Sequence, residues 1–397
     1  MNKVAHDPVP GDVKFRDGSA GEVAKLFLKL GTIAFGGPAA HIAMMRDEMC
    51  VRRQWVSEER FLDLVGAANL IPGPTSTELA IYLGYERAGW KGLILGGVCF
   101  IFPAMVMVLA IAWAYVTYGA TPDAHWLLYG IKPAIVAIIV YALWGLLKTA
   151  VKGALLAAAG IVVLGLYLAG FNPVALLFGI GALVTLIKNA SHSGRPQDSS
   201  TGMPLLAGVA VSAGAASGIA HAAFSLASLF LTFLKLGAVV FGSGYVLLAF
   251  LRDDFVHRLG WLSDQQILDA VAVGQFTPGP VFTTATFIGY ILGGLPGAIL
   301  ATVGIFLPSF IFVAAVFPIV GMVRRSPWAS GFLDGVNVGA LGLMAGVTWQ
   351  LGRAVLVDWF TMAIAAFALV LIFGFRINSA WLVLGGGILG VAYGLLV

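Results

Sequence analysis

Two short runs, Pro72-Gly73-Pro74 and Pro278-Gly279-Pro280, interrupt otherwise apolar stretches of a 397-residue chain. Proline removes a backbone donor and clashes with the preceding helical turn, so two prolines around a glycine break a helix instead of bending it. Where a helix resumes, near Thr75 and near Val281, its first N–H groups lack intrahelical acceptors and stand at the positive end of the helix dipole. Such ends bind anions. The chemistry predicted is therefore non-covalent: main-chain donors recognising a small, strongly charged anion. Thr75, Ser76 and Thr77 beside the first break, and Thr283 and Thr284 beside the second, add hydroxyl donors suited to an oxyanion. Hydroxyls in apolar helices also bond their own carbonyls, which is the alternative reading of each.

A second pair of interruptions, Phe35-Gly36-Gly37-Pro38 and Phe241-Gly242-Ser243-Gly244, places small residues at two further points. Glycine lets a ligand or another backbone come close. Gly36, Gly37, Gly242 and Ser243 thus join Pro72, Gly73, Pro74, Pro278, Gly279 and Pro280 as candidate binding residues, with tight helix packing as the alternative. Lys29 and Lys235 stand in apolar runs, where a cation is costly and often functional, unless it snorkels to the interface. Arg46-Asp47 and Arg252-Asp253 fall at segment ends, either as local ion pairs that fix a loop or as points where anions first bind. Glu78 follows the first break, and Thr284 stands at its matched place. It is the candidate protonatable coupling group, with a structural hydrogen bond as the alternative.

These residues are positioned by a duplication. Phe27-Leu28-Lys29-Leu30-Gly31 matches Phe233-Leu234-Lys235-Leu236-Gly237 at a shift of 206, and so do Trp55 and Trp261, Ser57 and Ser263, and Asp63 and Asp269. After one deletion the shift is 205 and pairs Gly84-Tyr85 with Gly289-Tyr290, Pro103 with Pro308 and Gly130 with Gly335. The chain divides into a cytoplasmic tail (1–20), a first repeat (21–188), a linker with an extra helix (189–223) and a second repeat (224–397). The stretch Met203 to Ala223 supplies that helix.

With 59% apolar and 11% charged residues, the chain lacks the polar skin of a soluble domain, which carries about 25% charged residues. Leu93 to Val116 and Ala298 to Val320 are long enough to cross hydrocarbon. The fold class expected is an all-α, polytopic integral membrane protein. Arg and Lys favour opposite loops in the two halves, which points to opposite orientation in the bilayer; Arg252, Arg258 and Arg353 fall on the predicted outer side. Inverted repeats with broken or re-entrant helices are common in secondary transporters. Two arrangements stay open, nine spans with four re-entrant hairpins or thirteen spans; charge favours re-entry in half one, because it keeps Arg46 to Arg60 cytoplasmic.

No phosphate-binding G-x-x-x-x-G-K-[ST] run is present, the six histidines are scattered, and no carboxylate pair suits acid/base work. Neither a cofactor, a metal, nor an enzymatic role is expected, and no nucleic acid is a partner. The ordered set Phe35-Gly36-Gly37-Pro38, Arg46-Asp47, Trp55 and Pro72-Gly73-Pro74-Thr75, present twice, resembles the chromate ion transporter family in its long two-domain form. That resemblance implies a multi-pass protein of the bacterial inner membrane that exports chromate and confers chromate resistance, with sulfate as a related dianion. Half two departs from the pattern at Ser243-Gly244 and Val281. A transporter or channel for another small inorganic anion is the rival reading, and a homodimer is an open possibility.

Overall fold

The computed structural model describes residues 18–119, 121–190, 223–241, 244, 246–317 and 327–396, and every regular element among them is helical. Gly242, Ser243, the tail before Gly18 and the helix expected from Met203 onward lie outside the described residues.

Half one opens with α1 (Ala20–Ile33), capped by Ser19, which accepts from the Glu22 N–H. Gly36 and Gly37 then take φ values of 104° and 77°, a turn that costs glycine nothing. α2 (Gly37–Arg46) runs on into a π-helical turn, Asp47–Arg52. Ser57 caps α3 (Glu58–Ala68). Past the first PGP break comes α4 (Thr75–Tyr118), whose 44 residues are interrupted at Ala88 and Gly89 into a short and a long arm. α5 (Pro122–Ala150), α6 (Ala154–Leu168) and α7 (Pro173–Ala190) complete the half. Half two repeats the order. It has α8 (Leu226–Val239), α9 (Leu247–Leu251) with the π turn Arg252–Arg258, and α10 (Asp264–Phe276), capped by Ser263. A single turn, Val281–Thr283, leads into α11 (Thr284–Val316), broken at Gly293 and Gly294. α12 (Pro327–Val355), α13 (Trp359–Phe375) and α14 (Ser379–Gly394) follow.

Contacts fix the direction of each arm. A Cβ on Gly84 would lie 2.2 Å from the Gly92 carbonyl oxygen, and one on Gly96 2.5 Å from that of Ala80. The short arm of α4 therefore folds back on the long arm. Arg60 pairs with Glu86, Arg87 pairs with Glu22 at 3.1 Å, and the Arg87 guanidinium lies 4.8 Å from the Trp55 ring. The starts of α1 and α3 and the loop before α3 thus share one end of the molecule with the Ala88-Gly89 bend. Each motif segment dips in from that end and returns to it. The structure selects re-entrant hairpins, two per half, over segments that cross.

Half two builds the same hairpins from the opposite end. Phe317, just past α11, lies against Tyr82 and Tyr85 and near the Arg60 guanidinium. Phe287, towards the Gly293 bend, lies against Tyr115 at the far end of α4. The two long arms run antiparallel, so the repeat is inverted. Arg52, Arg53, Arg60, Arg87 and Lys91 gather at the half-one hairpin end, with Lys152 and Lys188 beside them on Asp334; this is the basic end. Ala190 closes α7 at the basic end and Leu226 opens α8 at the other. Among the described residues, eight segments run from end to end: the long arms of α4 and α11, with α5, α6, α7, α12, α13 and α14.

The helices sort into two units. α12 packs on α5, α6 and α7, and α5 packs on α12, α13 and α14, which makes a scaffold. α1, α4, α8 and α11 pack together and carry the hairpins. Gly84→Leu places a side chain into the backbone of the facing arm, and overpacking of this kind costs about 1–3 kcal/mol. A clear drop in melting temperature in detergent is the expected result; an unchanged one is incompatible with the folded-back arm.

Candidate functional site at the meeting of four broken helices

Two main-chain hydrogen bonds tie the interruptions together. The Gly73 N–H donates to the Val240 carbonyl at 2.8 Å, and the Gly279 N–H donates to the Ala34 carbonyl at 2.9 Å. Ala34 and Val240 follow the matched ends of α1 and α8, where carbonyls lack helical donors. Each PGP motif therefore docks on the first hairpin of the other half. A Cβ on Gly244 would meet Val281 at 2.8 Å, which brings the fourth break into the same cluster. Gly73 lies against Ser309, and Gly279 against the matched residue Ala104. Both fall well inside the long arms, so the cluster sits deep between the two ends.

Both breaks are complete. Pro74 is extended (φ −77°, ψ 99°) and caps α4 without a side-chain bond. The Gly73 and Gly279 amides are engaged between halves. Thr77 and Glu78 close on the Pro74 carbonyl at 2.8 and 3.1 Å, which leaves the Thr75 and Ser76 N–H groups without partners among the described residues. Thr75, Ser76, Thr77 and Glu78 are all buried. Thr77 Oγ1, Glu78 Oε2 and the Tyr82 hydroxyl are buried without partners among the described residues. Glu78 Oε1 accepts from Ser309 Oγ at 3.4 Å. Buried polar groups are normally paired, and three such orphan atoms gather at the start of α4.

Half two is different. Thr283 Oγ1 donates to Pro280 O at 2.8 Å, Thr284 Oγ1 to Val281 O at 2.7 Å, and Thr286 pairs with Thr302 at 2.7 Å. Its hydroxyls are engaged by their own helix and by each other. This corrects the expectation that Thr283 offers a free donor; the back-bonding alternative holds there.

The chromate transporter family model matches residues 21–186 and 227–391. The chain belongs to the chromate transporter family. It is similar to a protein of Synechococcus elongatus described as a probable chromate transport protein, 35% identical over 360 residues and covering 88% of each chain. The chromate transport protein of Cupriavidus metallidurans is 34% identical over 380 residues, 94% of each chain, and that of Pseudomonas aeruginosa 31% over 383 residues, 92% of this chain and 90% of its own. No solved structure matches. The chain is a multi-pass bacterial membrane transporter.

The charged candidates of this transporter hold structure together. Lys29 pairs with Glu48 at 2.8 Å and Lys235 with the matched Asp254 at 2.6 Å. The Lys29 hydrogen bond holds the Glu48 carboxyl below its usual range. Neither lysine is the lone buried cation that its apolar neighbours suggest, and both side chains are partly exposed. Arg46 pairs with Glu58, and Arg252 with the matched Asp264 at 2.6 Å. These pairs bridge the loop before α3 and α10 instead of joining each arginine to the neighbouring aspartate, as expected. Asp47 pairs with Arg52 at 2.7 Å. Burial and the adjacent Asp254 push Asp253 up to about 6. Gly36 is exposed and Gly37 half-buried at the α1–α2 turn. Ser309, Tyr82 and His41 escaped the sequence reading. His41 Nε2 lies 2.9 Å from the Ala34 carbonyl that also receives Gly279, and Leu247 takes its place in half two.

Proposed function

We propose that this transporter exports chromate from the bacterial cytoplasm by secondary transport, with sulfate as a second substrate of the same shape and charge. The observation that supports it most is the α4 start, where the Thr75 and Ser76 N–H groups, Thr77 Oγ1 and Glu78 meet in a buried cluster with no cation among the described residues. A dianion there gains main-chain donors and the helix dipole. The relatives named for chromate transport supply the substrate class. By the positive-inside rule the basic end faces the cytoplasm, and the half-one hairpins, which carry the orphan groups, open from that end.

A dianion leaving a negative cytoplasm is driven by about 2.3 kcal/mol per charge for each 100 mV, so the membrane potential alone powers export. A carboxylate and a dianion repel strongly in one dry site, so Glu78 takes up a proton as the anion loads, and the two travel together. Counterflow tests the carrier reading. Inside-out vesicles loaded with unlabelled chromate or sulfate are expected to accumulate labelled chromate transiently above its outside concentration. With the membrane potential held at zero by valinomycin and equal potassium on both sides, a channel does not do this, and unsaturable flux without overshoot overturns the proposal.

A further inference from the structure

The seam between the hairpin unit and the scaffold is closed at one end and open at the other. Opposite the basic end, α9 packs against α7 and α12, and α10 against α5 and α14. Arg252 reaches Gln350 on α12, and Asn172, which heads α7, donates to Asp253 at 3.4 Å. Deeper in, Lys132 of α5 pairs with Asp269 of α10 at 3.3 Å, and the Tyr115 hydroxyl donates to the other Asp269 oxygen at 2.9 Å. Asp269 is 3% exposed.

The matched positions at the basic end are uncovered. Phe35 is 41% exposed where its counterpart Phe241 is 7%, and Leu62 is 54% exposed where Leu268 is 1%. Asp63 stands where half two has Asp269, but the match of Lys132 is Asn337, which is exposed. The apolar core repeats the asymmetry. The half-one hairpins form a cluster of their own, whereas the half-two hairpins share one with the scaffold. A cavity of about 750 Å³, lined in part by Ile111, Tyr115, Ile131, Asp269, Phe276 and Ile388, runs along the closed seam and leaves α10 room to move against α5 and α14.

We propose that Lys132, with Asp269 and Tyr115, is a gating latch. It holds the half-two hairpins against the scaffold while the half-one hairpins stand open, and it releases when the half-one hairpins take up the matching contacts. Inverted repeats that differ in packing at one moment exchange roles at the next. A buried ion pair suits a latch because breaking it leaves an uncompensated charge, which makes the seam two-state instead of gradual. The inference rests on the transport reading but not on chromate as the cargo.

The test uses Asn172→Cys with Asp253→Cys in full-length protein in native membranes, with Cys50→Ser and Cys99→Ala removing the native thiols. Oxidation is expected to form the cross-link readily without substrate, to lower chromate counterflow at least tenfold, and to be reversed by reductant that is washed out before chromate is added. Adding Lys132→Met is expected to slow cross-linking severalfold, and the charge swap K132D/D269K to restore it. That rate needs no substrate, so it stands or falls apart from the cargo. Full counterflow in fully cross-linked protein, failure of the cross-link to form, or an unchanged rate in Lys132→Met overturns the latch. A Lys132→Met protein that does not insert is replaced by the swap alone, whose cross-linking at the poor rate of an unpaired seam also overturns it.

Discussion

Gly73→Ala is expected to abolish chromate counterflow, by at least about a hundredfold, with the protein still inserted in the membrane. Three features converge on this residue. Its φ is 137°, a conformation side chains rarely adopt; holding a non-glycine residue in such a region costs on the order of 1–3 kcal/mol. A Cβ there would lie 2.2 Å from Glu78 Oε1 and 2.5 Å from Ser309 Oγ. Its N–H is the donor that docks the first PGP motif on Val240 of the other half. Relief of the clash displaces the start of α4, and misplacement of binding groups by about 1 Å can cost a hundredfold. Gly279→Ala is the matched control. Its Cβ meets Ala104 Cβ at 2.8 Å, and its φ is 86°, but the hydroxyls beside it bond their own helix. A smaller loss is expected, eased by adding Ala104→Gly. Wild-type counterflow in Gly73→Ala would remove the first PGP motif from the site.

The breaks were legible because their physics is local. Proline–glycine–proline cannot continue a helix in any context, and the shift of 206 carried Gly73 onto Gly279 and Ala34 onto Val240, the residues of the two main-chain hydrogen bonds that tie the interruptions together. Charge bias in the loops gave the inversion for the same reason, since each arginine is counted without its partners. Hairpin against crossing was legible only through the arginines from Arg46 to Arg60, which favour one side of the bilayer in half one. Apolar runs of either kind look alike, and only the Gly84–Gly92 approach and the Arg60–Glu86 pair show the chain turning back. The partners of Lys29 and Lys235, Glu48 and the matched Asp254, lie on the far side of an interruption, so the apolar neighbours of each lysine did not show them. Ser309 was invisible for a similar reason. Its match is Ala104, so the repeat does not flag it, and it meets Glu78 across 231 positions of chain.

Glu78→Gln separates binding from coupling. The amide keeps the size of the side chain and can still meet Ser309, so the α4 start keeps its shape and counterflow is expected to persist within a fewfold. What changes is the response to pH. On the proposed mechanism the anion loads with a proton, since a unit pair of like charges at about 4 Å repels by roughly 4 kcal/mol at an effective dielectric of 20, and a dianion feels more. Acidity on the loading side therefore speeds the native carrier. In Glu78→Gln that dependence is expected to flatten, and the charge moved per chromate to rise from one towards two, read as the current or the potential needed to hold a chromate gradient at balance. The variant thus exports more steeply with potential and loses its link to the pH gradient. Thr284 at the matched place in half two has no carboxylate to lose, so Thr284→Val is expected to leave the pH profile alone. An unaltered pH profile in Glu78→Gln assigns the proton to another group, and loss of counterflow in that variant makes Glu78 a structural partner of Ser309 instead of the coupling acid.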